Sequence, residues 1–134
     1  MCVRPRRLIV RSALKLLPVA ITCAWLTTAQ AQPEACTRFL GSWSGTWSQG
    51  VYGTQWIHIT AVSPDCIAQV GYNPTGPDIP GVLHALAIKD GAIQFVCNAG
   101  RSGTCRLELI DNDLRARYAE PCGFENLGVF RKQP

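Results

Sequence analysis

Histidine is scarce in this chain: His58 and His84 are the only two. On alternating strands His58 faces outward and His84 inward, so the pair is not expected to work together. No G-x-S-x-G turn follows residue 31, which removes the usual mark of a serine nucleophile. No C-x-x-C occurs and no histidine lies close to a cysteine, so the spacing that holds a metal is missing. Seven carboxylates (Asp65, Asp78, Asp90, Asp111, Asp113, Glu120 and Glu125) fall in turn-like segments, and Glu108 alternates outward between Leu107 and Leu109. Paired acids for glycoside cleavage are therefore not expected. There is no glycine-rich loop leading into a helix to cradle a phosphate. No catalytic residue, metal or cofactor is anticipated, and the protein reads as a non-enzyme.

What the chain does have begins with residues 1–31, which read as a cleaved secretory signal. Arg4, Arg6, Arg7, Arg11 and Lys15 form a positive start, Leu16 to Leu26 an apolar stretch, and Ala29-Gln30-Ala31 a small-residue cleavage site. The apolar stretch is far short of the roughly 20 residues that span a bilayer. Without this segment, residues 32–134 carry eight Lys or Arg against nine Asp or Glu, a net charge of −1. The basic excess belongs to the targeting segment, so nucleic acid and anionic membranes are not expected partners. A secreted or periplasmic location follows.

The remaining 103 residues suit one small domain, and they alternate with a period of two almost throughout. Phe39, Gly41, Trp43, Gly45 and Trp47 share one face of the first strand, where the two glycines suggest close backbone approach or tight curvature. Further runs offer Ile57 and Ile59; Ala68, Val70 and Tyr72; Val82, His84, Leu86 and Ile88; Ile93, Phe95 and Cys97; Leu107 and Leu109; Leu114, Ala116 and Tyr118; and Leu127 and Val129. Asp90-Gly91 is a tight-turn signal, and Asp111-Asn112-Asp113 a polar break. A turn of helix near Pro33 to Thr37 is compatible with the pattern. The expected fold is all-β: a single small antiparallel up-and-down barrel, or a strongly curved meander, of about eight strands stapled by disulfides. The proline-rich segment 73–81 is the longest loop and is expected to cover one end.

In a meander, alternate loops fall at alternate ends. Cys36 and Cys66 then share one end, and Cys97, Cys105 and Cys122 share the other. Because bridged α-carbons must lie within about 7 Å, only pairings within an end are allowed, and Cys36–Cys66 is common to all of them. Cys97–Cys105 is favoured for the second bridge because the two flank one hairpin loop, which leaves Cys122 as a free thiol, exposed beside Gly123.

Gly41-Ser42-Trp43 and Gly45-Thr46-Trp47 each resemble the G-x-W opening of lipocalins and related calycin barrels. The resemblance implies a tryptophan, Trp43, closing the barrel bottom, with an arginine of the last strand across its ring; Arg131 is the matching residue, and the pair would be a structural lock. The chain is shorter than lipocalins and lacks a helix between its last strands. Avidin-like barrels are closer in size, but no tryptophan follows Trp56, so the resemblance extends to architecture and not to biotin binding.

Eight strands enclose room for side chains or one small ligand. The expected function is binding of a small apolar or amphipathic ligand at the barrel mouth by Trp47, Tyr72, Phe95 and Tyr118, under the 73–81 loop. The alternative is a protein-interaction module, such as an inhibitor of an envelope hydrolase, acting through a rigid loop with Arg101 at its tip or through an outward patch at Trp56.

Overall fold

The computed structural model describes residues 33–50 and 53–134; the signal segment and its cleavage site lie outside them. Eight antiparallel strands follow a short helix α1, Glu34–Thr37. They are β1 Gly41–Trp47, β2 Gln55–Val62, β3 Ile67–Asn73, β4 His84–Lys89, β5 Ala92–Asn98, β6 Gly103–Ile110, β7 Asp113–Ala119 and β8 Glu125–Lys132. Each pairs with the next, and β8 returns to pair with β1, so the sheet closes into an up-and-down barrel. Closure gives every strand a neighbour on both sides, though β4 and β5 join only at Ile88–Ile93 and Lys89–Ala92, so the wall is thinnest there.

Turn chemistry sets the reversals. Asp90 and Gly91 both take positive φ, as do Asp111 and Asn112, giving the two-residue turns whose twist matches antiparallel strands. Gly45 permits the seam: a Cβ there would lie 2.0 Å from the Val129 carbonyl oxygen and 2.7 Å from the Phe130 α-carbon. In β2 the ladder shifts between Ile59 and Ala61, so Ile59 and Val62 both reach the interior while Thr60 and Ala61 stay outside.

The interior is filled. Phe39, Trp43, Ile57, Ile59, Val62, Ala68, Val70, Ile93, Leu107, Leu114, Ala116 and Phe130 are buried together, and burial of each large apolar side chain stabilises the fold by about 1.5–3 kcal/mol. One pole is closed. There α1 brings Cys36 to Cys66 in a disulfide, and the Trp43 indole donates to the Phe39 carbonyl at 2.9 Å. At the opposite, open pole Cys97 and Cys105 form the second bridge, and Cys122 is free and exposed. Cys36–Cys66 follows the alternation of loops, and Cys97–Cys105 is the pair that flanks one hairpin. Two disulfides of this kind belong to an oxidising, extracellular-type environment, and among the described residues no helix is long and apolar enough to cross a membrane.

Three expectations need correction. The last strand presents its other face: Gly128 and Phe130 point inward, while Leu127 and Val129 are exposed. Alternation alone reads equally well in either phase here, and the pairing of Gly45 with Phe130 and of Trp47 with Gly128 decides it. By the same phase Arg131 pairs with Ser44 on the outside, and the cation over the Trp43 ring is Lys132, with Nζ 5.4 Å from the centroid. Finally, β4 begins at His84 and not Val82, and the long loop does not cap the barrel. It starts at the rim and folds back along the outer wall, where Pro80 and Leu83 lie over Gly71.

Candidate functional site

The open pole brings together only half of the expected ligand set. Trp47 stands at the end of β1, packed over Gly128 and edge-on to Phe130 with ring centroids 5.7 Å apart. Its side chain hydrogen-bonds the Tyr72 hydroxyl, which in turn donates to Gln55 Oε1. Burial pushes the Tyr72 phenol above its ordinary pKa, and the Trp47 hydrogen bond opposes that. The three side chains come from β1, β3 and β2, all on inward-facing positions at the rim.

Beside them is an open depression of about 560 Å³ lined by Thr54, Gln55, Tyr72, Pro74 and Thr75. Gln55 is only 3 % exposed, a rare state for a glutamine, whereas Tyr72 is 46 % exposed. The site thus has a polar floor and an aromatic wall open to solvent. Asn73 shapes its far side: Oδ1 accepts from the Thr75 amide and hydroxyl, and Nδ2 donates to the Asp78 carbonyl at 2.8 Å.

Phe95 and Tyr118 do not line this depression. Phe95 packs against the core. Tyr118 shields Gly103, meets Phe124 edge-on at 6.0 Å and donates to Glu120. They share the interior phase of the sheet with Trp47 and Tyr72, but the register sets them on the strands flanking the Cys97–Cys105 bridge. The mouth aromatics therefore divide into two groups.

A second constellation lies outside the barrel on the same β2–β3 wall. His58 is on the outward phase, opposite Ser42 on one side and Gly71 on the other, yet only 1 % of it is exposed. Ser42 Oγ lies 3.0 Å from Nδ1, and Trp56 stacks parallel to the ring with centroids 6.1 Å apart. Nε2 is buried with no partner among the described residues. Burial lowers the His58 pKa from its ordinary value, and the Asp78 carboxylate raises it in partial opposition. Because the folded value is depressed, the stabilisation from neutral His58 is complete above about pH 6.5 and is lost as pH falls through the lower folded value. Alternation placed His58 outward but missed its burial. The available signal was Gly71, a glycine inside a strand directly opposite, which marks close approach by another segment.

His84 stands at the inner rim, paired with Val70 and exposed, so the two histidines occupy opposite sides of the wall. Glu108 is outside and pairs with Arg106. No protein-family model matches this chain, and no curated protein matches it.

Proposed function

We propose that this is an exported, calycin-like binding protein that holds a small amphipathic molecule in the rim depression, without catalysing its conversion. The observation that carries this reading is the buried Gln55 amide beneath the half-exposed Tyr72 ring. Such a floor and wall suit a ligand with one hydrogen-bonding group and one flat apolar face. The interior below is solid, so the ligand sits at the rim with Trp47 behind it. Phe95 and Tyr118 support the opposite side of the mouth and are not contact residues.

The test is native mass spectrometry of protein purified from its own host, followed by tryptophan fluorescence titration with the extracted compound. An added mass and quenching are expected, with affinity falling about tenfold or more in Tyr72→Ala, the loss of one aromatic contact. A protein that is always empty, and whose fluorescence responds to no extracted compound, overturns the reading.

A second reading rests on the stapled hairpin at the open pole. Val96 is 63 % exposed and the Arg101 side chain 72 % exposed, on a turn that the Cys97–Cys105 bridge holds in shape. A pre-organised loop loses little entropy on docking, which suits an inhibitor of an envelope hydrolase. Recovery of one partner by the protein, and not by Arg101→Ala, would favour it over the first.

A further inference from the structure

The segment 74–83 connects the two constellations on the β2–β3 wall. Its first residues, Pro74 and Thr75, form one side of the rim depression. Its last, Pro80 and Leu83, sit on Gly71 so tightly that a Cβ there would lie 2.5 Å from Pro80 Cγ and 2.7 Å from Leu83 Cδ2. Asn73 ties the two parts together through Thr75 and the Asp78 carbonyl. The strap thus lies over Gly71, the direct cross-strand neighbour of His58, whose Nε2 has no partner among the described residues.

A neutral imidazole has one N–H and one bare nitrogen, and Ser42 can serve Nδ1 in either role. In either tautomer Nε2 is orphaned, as an unused donor or an unused acceptor. A proton taken up from water makes both nitrogens donors and adds a charge. Ser42 Oγ can accept from one of them, and among the described residues none accepts from the other while the strap is down. Among the described residues, Asp78 on the strap is the charged group that acts on the ring; β1, β2 and β3 present Ser42, Trp56, Gly71 and Asn73. A buried, half-satisfied cation is costly, and lifting the strap gives Nε2–H water.

We propose that the 74–83 strap is an acid-released latch: protonation of His58 lifts it from Gly71, and lifting it dismantles the Pro74–Thr75 side of the depression and discharges the ligand. The discharge rests on the binding function proposed above; the latch itself does not. Opening becomes more favourable as pH falls below the ordinary histidine value of about 6.5, by up to tenfold per pH unit until the closed form also takes up the proton.

The test uses the ligand-free protein in solution. Nuclear Overhauser contacts between the Leu83 methyl groups and the Gly71 α-protons should be present at pH 8 and lost by pH 5, in step with titration of the His58 ring. Asp78→Asn should move the His58 midpoint downward. Gly71→Ala, whose new methyl occupies the seat of the strap, should lack the contacts to Leu83 already at pH 8 and let His58 titrate near 6.5. His58→Gln, where it folds, should keep the contacts at both pH values. Contacts that persist at pH 5 while His58 is protonated, or that vanish equally in His58→Gln, overturn the latch. Retention of the host-derived mass at pH 8 and 5 is read separately. A protein that never carries a ligand defeats the binding proposal and leaves the latch to the spectra, whereas a ligand retained at pH 5 with the strap lifted defeats the coupling.

Discussion

The two poles of this barrel are built from the same materials and used differently. At the closed pole Phe39, Trp43 and Cys36 are buried, the Trp43 indole is met by the Phe39 carbonyl and the Lys132 ammonium group, and the Cys36–Cys66 disulfide ties α1 to the barrel. At the open pole Tyr72, Val96 and Phe124 are each more than two-fifths exposed, and the bridge spans a single hairpin. A small domain has little stability to spare, and here the closed end carries most of the packing while the other end leaves apolar side chains exposed.

The contrast breaks most decisively at Trp43. Trp43→Ala removes a fully packed indole from the closed pole and should cost about 3–5 kcal/mol in denaturant unfolding, whereas Tyr72→Ala at the rim should cost less than about 1 kcal/mol. Comparable losses would mean that the rim, too, is a packing element. The bridges should rank next. Cys36–Cys66 closes 30 residues and Cys97–Cys105 closes 8. Chain-entropy arguments assign them roughly 3.6 and 2.5 kcal/mol. The Cys97–Cys105 pair is also the more exposed of the two, so mild reductant followed by thiol mapping should open it first. The smallest contrast is between neighbours on β8. Lys132→Met removes the cation over Trp43 and should lower stability by about 0.5–1 kcal/mol, while Arg131→Met, outside the barrel, should change it very little.

Much of this architecture could be read from residue order because strands alternate. The inward faces of β2, β3, β6 and β7 emerged from their apolar periodicity, the Cys36–Cys66 bridge from the parity of the loops, and the Cys97–Cys105 bridge from its place across one hairpin. Alternation fails where both phases are apolar. In Leu127-Gly128-Val129-Phe130 either set could have faced inward, and the observed phase also puts Lys132, not the Arg131 that the calycin resemblance implied, over Trp43. Phe130, one of the largest wholly buried side chains, was missed for the same reason. At the mouth, the local pattern marks Trp47, Tyr72, Phe95 and Tyr118 as alike. Only the register around the barrel separates the pair that shares a hydrogen bond from the pair that does not. The strap was legible as a loop but was expected over the barrel end and not along the outer wall, because its resting place depends on contacts between segments that no local pattern records. Gly71 was the one hint, a strand position where a side chain would have kept the strap away.

The ladder that joins Ser44 to Arg131 sets an order of events during synthesis. Strand β1 emerges early and finds β2 within a few residues, but its other margin waits until β8 has been made. Until then the nascent ribbon shows an unmatched row of amides and carbonyls able to recruit a neighbouring molecule. Strand β8 therefore acts as a zip, covering the margin of β1 that would otherwise recruit a neighbouring molecule.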